Sequence, residues 1–384
     1  MNGIQEVTPG LGWREHYGDV GAFALAFPAG FQLEGTDRPG LAHFTEHMLM
    51  APRDEHAYPY AQLEGLGCLL EAQTRRDHMI VAVSGPQPHL LQAIEMLIAH
   101  LVDPKRQSGT ALQQAEIIHN EVLYKTRLAP WADTWRWCIP APGAGIGVDH
   151  DPILAPALDG SAVYEDTWPE FAANHVRLER CSAAVVADSR LVSPDAVDSV
   201  LGPRTLPDPL AATLREEPTR IPCHEPTIGP NPLAAGDRSE IVLPVQANDL
   251  CGQSAALVAA KLVATAVAMV GNDFPAKVQY GLFDEWFSEQ APTVITVSLS
   301  AACDVTELEQ QIPALLRTIT DPHSLTQAIT QLSDEWAART KSPSTCARSM
   351  AWMLLGNRLG APFAQLDPHL VERNVSAATV LRGL

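Results

Sequence analysis

The chain has 384 residues, of which 46% are hydrophobic and 18% are charged, and its formal net charge is −19. A chain of this length exceeds one ordinary core and suits two or three domains, while the low charged fraction argues against long disordered tails. The sequence has no basic stripe, so its acidic balance excludes a nucleic-acid binder and suits either a cationic substrate, such as a basic peptide, or simple solubility.

Cysteine usage and apolar segments bear on the compartment. The seven cysteines are odd in number, widely spaced and without a C-x-x-C pair, which predicts reduced thiols in a cytoplasm. The first residues show no basic and no apolar signal region, so we expect no secretion signal. The longest apolar stretch, residues 250–270, has Lys261 at its centre and predicts a buried core helix rather than a membrane span. We therefore expect a cytoplasmic protein without a membrane segment.

In chain order, the first 200 residues or so mix strand and helix patterns. A helix is predicted to begin at Thr36 or Asp37, either of which can cap it, and to run to about Met50. Two closely spaced strands, at residues 68–74 and 79–84, predict a hairpin. The other elements predicted in this half are strands at residues 22–27 and 182–186 and helices at residues 60–66, 88–101 and 110–127.

A proline-rich segment divides the chain. Eight prolines lie between residues 203 and 232, and such a density opposes helix interiors and central strands. Strands at residues 240–245 and 293–299, a long helix between them, and helices at residues 306–319 and 325–338 follow. We predict a first domain at residues 1–201, a Pro-rich linker at residues 202–238 and a second domain at residues 239–384. The expected fold class is α+β, with two related halves that each have an antiparallel-type sheet covered by helices.

The first predicted helix contains the motif His43-Phe44-Thr45-Glu46-His47. Residues four apart share one helix face, so two imidazoles can bind one metal ion. Glu46 lies beside them and is expected to act as a base rather than as a ligand. This H-x-x-E-H spacing is the inverzincin signature. The alternative is a pair of surface histidines beside a solvated glutamate.

A catalytic zinc site takes three protein ligands and leaves a position for water. The predicted helix at residues 110–127 offers Glu116 and Glu121 as the third ligand. His119 lies between them, and a lone helix histidine is more often a surface or packing residue, so we expect it to be a bystander.

The motif and its surroundings resemble the pitrilysin family of zinc metallopeptidases, which includes insulin-degrading enzyme and the mitochondrial processing peptidases. Glu121 follows His47 by 74 residues and comes just after an apolar pair, as the ligand glutamate does in that family. The segments at residues 30–48, 63–74 and 183–188 also resemble the family, so the resemblance covers most of residues 18–190. It implies one zinc ion per chain, bound by His43, His47 and Glu121, with Glu46 as the general base in peptide-bond hydrolysis.

The sequence departs from the family at two positions of this half. Gln114 stands where the family has a second glutamate, which implies a neutral group next to the metal ligands. Glu71 replaces the asparagine of the family's Asn-Ala-x-Thr strand, and the resemblance places Glu71 and Ala72 at the edge where substrate peptides bind. Glu71 then either puts a negative charge near the scissile residue or is a solvent-facing strand residue.

A third departure lies in the second half. Active members of the family carry an arginine and a tyrosine that reach the substrate. The resemblance places the arginine near Phe283 and the tyrosine a few residues later, but neither is there, and Tyr280 falls too early. This implies a heterodimer with a related non-catalytic subunit that supplies the Arg/Tyr pair, with a homodimer as the alternative. We expect a zinc-dependent endopeptidase subunit that processes a peptide or precursor. The alternative is a catalytically idle scaffold or binding subunit of the same fold.

Overall fold

The computed structural model describes two compact units, which are taken separately below. The first unit comprises residues 1–122, 143–213 and 339–360, and the second comprises residues 123–142, 214–338 and 361–384. Within them, the structure describes residues 4–30, 33, 40–51, 59–75, 78–102, 110–128, 166–204, 227–230, 238–245, 250–270, 277–280, 293–300 and 321–358.

A six-stranded sheet forms the centre of the first unit. In chain order its strands are β1 (Ile4–Thr8), β2 (Leu11–Glu15), β3 (Val20–Phe27), β4 (Leu69–Thr74), β5 (Met79–Pro86) and β6 (Ser182–Ala187). They lie in the order β1-β2-β6-β3-β5-β4, so that β4 is an edge strand. All neighbouring pairs are antiparallel except β2 and β6, which are parallel.

The interior of this sheet follows from its composition. Strand β3 reads VGAFALAF, and every residue after Val20 is buried. A strand buried on both faces has a nearly continuous apolar sequence, whereas a half-buried strand alternates. The apolar run of β3 therefore requires cover on both faces of the sheet, which the helices provide.

Helices cover both faces of the sheet. The helices of the first unit are α1 (Leu41–Met50), α2 (Pro59–Gly65), α3 (Gln87–Val102), α4 (Thr110–Leu128), α5 (Pro194–Leu201) and α8 (Pro343–Arg358), and residues 166–175 are also helical. Helix α8 packs on β2, β3, β5 and β6. A Cβ atom at Gly12 would stand 2.7 Å from Leu354 Cδ1, so this glycine allows the close approach of α8 to the sheet.

The second unit has a smaller sheet. Strands β7 (Thr227–Pro230), β8 (Arg238–Val245), β9 (Lys277–Tyr280) and β10 (Thr293–Ser300) pair antiparallel in the order β7-β8-β10-β9. Helix α6 (Leu250–Val270) and most of α7 (Pro322–Lys341) belong to this unit. The ammonium of Lys261 lies 2.5 Å from a carboxylate oxygen of Glu335 and so joins these two helices.

The structure confirms the predicted fold class, a mixed α/β architecture with a six-stranded sheet covered by helices. The predicted strands and helices are present with ends shifted by a few residues, apart from residues 306–319, which lie outside the described part. The first helix begins later than predicted. Gly40, rather than Thr36 or Asp37, is its N-cap, with a φ of 87° in the left-handed region that suits glycine.

The sequence predictions also missed several elements. Strands β1 and β2, helix α5 and helix α8 were not expected. Residues 339–360 lie in the first unit, although the sequence-based division places them in the second domain, because the apolar side of α8 packs on the six-stranded sheet. None of the described helices has the length and apolar character required to cross a membrane.

Candidate metal centre

Helix α1 brings the two motif histidines together. Phe44 and Met48 are buried and anchor the helix, while the side chains of His43 and His47 are 16% and 15% exposed. The two imidazole rings have centroids 4.8 Å apart at an angle of 76°. The core-facing residues of α1 therefore fix the helix and leave both imidazoles at a partly open surface.

Helix α4 adds a carboxylate to this pair. Oε2 of Glu121 lies 3.3 Å from Nε2 of His47 and 3.7 Å from Nε2 of His43, and the three candidate ligand atoms lie within 4.8 Å of one another. Donors about 2.0–2.1 Å from a tetrahedral zinc ion lie roughly 3.3–3.4 Å apart. The donor set therefore suits a zinc ion, and the two distances to Glu121 are close to the spacing that zinc requires. In the described part of the chain no other group of this kind is found, and Glu116 is exposed and lies outside it.

A buried glutamine contacts the second ring nitrogen of His47. Oε1 of Gln114 lies 3.3 Å from Nδ1 of His47, and Gln114 is 4% exposed. An amide oxygen can only accept, so this contact favours the tautomer with the proton on Nδ1 and leaves Nε2 free to bind a metal. A carboxylate here would raise the basicity of the imidazole more than this neutral amide does.

Glu46 lies next to the histidines but faces the sheet. It is 7% exposed, and its Oε2 accepts a hydrogen bond of 2.5 Å from the hydroxyl of Thr74 on β4. Thr74 is also buried, so this bond joins two groups that solvent barely reaches. Glu46 therefore lies outside the group of three candidate metal ligands.

A cavity of about 170 Å³ lies beside these groups. Both Glu46 and His47 line this cavity, so a small reacting group inside it could contact both side chains. The lining residues are Glu46, His47, Met50, Ala51, Tyr60, Gln114 and Ile117.

The predicted substrate-binding residues lie on the edge strand β4. Ala72 shares a strand face with Thr74, since side chains two residues apart point to one side. Glu71 points to the other face, where its carboxylate accepts a 2.5 Å hydrogen bond from Ser344 and pairs with Arg348 at 3.3 Å. The negative charge of Glu71 is therefore compensated by α8 and does not face the side of the sheet where Glu46 lies.

Two of these contacts could not be predicted from the sequence. Arg348 is 277 positions from Glu71, in a helix that was not predicted. Thr74 belongs to a segment that resembles a strand of the pitrilysin family, but its bond to Glu46 depends on how α1 crosses that strand. The side chain of His119 and most of the segment around Phe283 lie outside the described residues, so those two expectations stay predictions.

Comparisons with known proteins agree with this geometry. Residues 14–124 match the family described as insulinase, peptidase family M16. The whole chain resembles a peptidase M16 inactive domain from Pseudomonas fluorescens, with 14% identity, a TM-score of 0.67 and coverage of 100% of this chain and 96% of that one. A protease from Helicobacter pylori is 12% identical, with a TM-score of 0.66 and coverage of 99% and 94%. No curated protein sequence matches the chain.

Proposed function

We propose that the chain is a zinc-dependent endopeptidase subunit of the M16 peptidase family, because residues 14–124 match that family and the fold resembles that of M16 peptidase domains. The observation that carries this proposal is the gathering of His43, His47 and Glu121 beside the buried carboxylate of Glu46. A structural zinc site has four protein ligands and no base beside an open position. Three donors with an adjacent carboxylate suit catalysis.

Zinc, when bound by these three residues, supplies a Lewis acid that polarises a carbonyl group and activates water. Glu46 is in place to accept a proton from the attacking water and to return it to the leaving amine. The Thr74 hydroxyl donates to one oxygen of that carboxylate and so limits the orientations open to Glu46, which lines the cavity. Gln114 holds the ring of His47 in the orientation that presents Nε2 to the metal.

The edge strand β4 suits peptide binding. It pairs only with β5 in the described sheet, so its outer backbone groups can pair with an added strand. Backbone hydrogen bonds of this kind place few demands on the sequence of the peptide. The net charge of −19 favours basic peptides, and processing of a peptide or precursor is the substrate class we propose.

The alternative is an idle scaffold of the same fold, like the inactive M16 domain from Pseudomonas fluorescens that this chain resembles. The zinc-loaded chain and its Glu46→Gln variant should be compared on a mixture of basic peptides. We expect cleavage by the first and a fall of about 10²–10⁴-fold in the variant, with zinc content unchanged. Equal cleavage by both proteins would remove Glu46 from the mechanism, and no cleavage by either would favour the scaffold.

We further propose that the subunit acts in a heterodimer. The support is the sequence near Phe283, which lacks the Arg/Tyr pair that active relatives are expected to carry. A related subunit with that pair would supply orientation and charge stabilisation, which can contribute several kcal/mol. Turnover should rise when the zinc-loaded chain is mixed with a co-encoded relative that has the pair. Full turnover by the chain alone, unchanged on mixing, would favour the homodimer.

A further inference from the structure

The edge strand β4 presents polar groups on both of its faces. On one face Thr74 donates to Glu46 of α1. On the other face Glu71 and Gln73, two residues apart, both contact α8. One short strand therefore connects the candidate catalytic base to a helix that lies more than 250 positions later in the sequence.

Two residues of α8 form the contacts to the second face. Arg348 donates from Nη2 to Oε1 of Gln73 at 2.6 Å and from Nη1 to Oε1 of Glu71 at 3.3 Å. Ser344 donates to Oε2 of the same carboxylate at 2.5 Å. Ser344 and Arg348 are four apart and share a helix face. We call these four side chains the β4 clamp.

Apolar contacts already hold α8 on the sheet. Met350, Ala351 and Leu355 are at most 2% exposed, and the helix packs on the central strands β3 and β6. Each fully buried large apolar side chain contributes about 1.5–3 kcal/mol, which exceeds the usual contribution of a partly exposed ion pair. The clamp is therefore a small part of the attachment of α8. It contacts β4, however, which within the described sheet has a neighbouring strand on one side only.

We propose that Arg348 and Ser344 are positioning residues, which hold β4 in the place that directs the Thr74 hydroxyl at Glu46. The inference rests on the proposed peptidase function. An edge strand is free to shift on its unpaired side, and side chains that tie it to a fixed helix limit that shift. A displacement of about 1 Å at a reacting group can cost about 10²-fold in rate. Helix α8 thus sets the geometry of the base from the opposite face of the sheet.

Arg14 of β2 provides a matched control. It joins the sheet to Cys346 of α8 and to Thr340 just before that helix, but it does not contact β4. Its Nη1 donates to the Thr340 carbonyl at 3.3 Å and to the Cys346 thiol at 3.0 Å. If the polar contacts served only to attach α8, Arg14→Met and Arg348→Met would have similar effects. If the clamp positions β4, only the second variant would impair catalysis.

The first measurement is steady-state peptide cleavage with zinc content determined for each protein. For Arg348→Met we expect unchanged zinc and a fall in kcat of about 10–100-fold, as for other groups that orient catalytic residues. Arg348→Lys should recover part of the rate, because an ammonium can reach one acceptor but cannot form the guanidinium fork. Arg14→Met should keep the rate of the parent protein. Equal losses for Arg14→Met and Arg348→Met would overturn the proposal.

The second measurement does not depend on activity. Amide hydrogen exchange of residues 69–74 should become about tenfold faster in Arg348→Met and stay unchanged in Arg14→Met, since a charge-assisted hydrogen bond to the strand is lost only in the former. Glu71→Gln is a milder change, so it should raise the exchange rate of β4 less than Arg348→Met does. It also keeps the test valid if Arg348→Met fails to fold. Unchanged exchange at β4 in both clamp variants would refute the clamp. Absence of cleavage by the parent protein would refute the peptidase proposal instead, and exchange would still test the clamp.

Discussion

The two faces of the six-stranded sheet are covered in different ways. On the α1 side, polar groups such as Glu46, Thr45 and Thr74 are buried and hydrogen-bonded. On the α8 side, the core of the contact is apolar. Arg14 contacts Cys346 near the start of α8, and Arg348 contacts Glu71 on the edge strand β4. Burial of a polar group costs free energy unless it is paired, so the polar groups on the α1 side need fixed partners, and those partners also fix their orientation. The α8 side provides the stability.

This comparison predicts that substitutions on the α1 side change metal binding and catalysis, whereas those in the apolar core of the α8 side, away from the β4 clamp, mainly change stability. The largest effect is expected for the third metal ligand. Glu121→Gln should weaken zinc binding by more than about a hundredfold, since loss of an outer hydrogen-bond partner alone costs about 10–100-fold. Zinc titration of the purified variants measures this. Glu116→Gln is the control on the same helix, and zinc loss there with retention in Glu121→Gln would reverse the ligand assignment.

The second prediction concerns Thr74, which links the edge strand to the base. Thr74→Val keeps the shape and removes the hydroxyl, so Glu46 loses its 2.5 Å bond. We expect kcat to fall by about 10–100-fold with KM and zinc content little changed. Thr74→Ser restores the hydroxyl and should recover most of the rate. Similar kinetics in the Val and Ser variants would show that the hydroxyl does not orient the carboxylate.

The third prediction concerns the neutral group behind His47. Gln114→Leu removes the acceptor for Nδ1 and should weaken zinc binding by about tenfold. Gln114→Glu places a carboxylate next to Nδ1 of His47. This makes the imidazole more basic, so zinc binding should become stronger. Competition with a chelator of known affinity gives both values. A stronger site in the Leu variant would contradict the role of Gln114 as an orienting group.

The fourth prediction tests the other face. A Cβ atom at Gly12 would meet Leu354 at 2.7 Å, in a well-packed contact between β2 and α8. Gly12→Ala should lower the free energy of unfolding by about 1 kcal/mol and leave zinc affinity unchanged. Denaturant unfolding and zinc titration of the same samples provide the test. Weaker zinc binding without loss of stability would break the division between the two faces.

The fold class and the pairing of His43 with His47 could be predicted from the sequence because both depend on local patterns, whereas the choice of Glu121 over Glu116 depended on the resemblance to a family. An i, i+4 histidine pair and the alternation of apolar residues are set by helix and strand geometry over a few residues. The β4 clamp and the Thr74–Glu46 bond depend on how distant elements cross. Glu71 illustrates the difference, since its position on β4 could be inferred but its partner Arg348 could not.

Helix α8 was not predicted for a related reason. Its apolar residues, such as Met350, Ala351 and Leu355, are mixed with Ser344, Arg348 and others, and the pattern does not stand out without the sheet that it covers. The start of α1 was misplaced because Thr36 and Asp37 are stronger N-cap residues than glycine by side chain. The left-handed conformation of Gly40 decides the boundary instead.

The smallest expected effect concerns a salt bridge that belongs to neither face. Asp188 follows β6, and hydrogen bonds from the side chain and backbone of Arg190 lower the pKa of its carboxyl group to about 2. In the unfolded chain the pKa is about 3.9. A carboxyl group whose pKa is lowered in the folded state stabilises the protein at pH values above its unfolded pKa, and this contribution disappears as the pH falls toward its folded pKa.

The difference in stability between the parent protein and Asp188→Asn should therefore be constant from about pH 7 to pH 5 and shrink between about pH 4 and pH 2. Because Arg190 is 76% exposed, the difference should also shrink in high salt. Unfolding of both proteins across this pH range measures the effect, and a difference that grew on acidification would give the pKa shift the opposite sign.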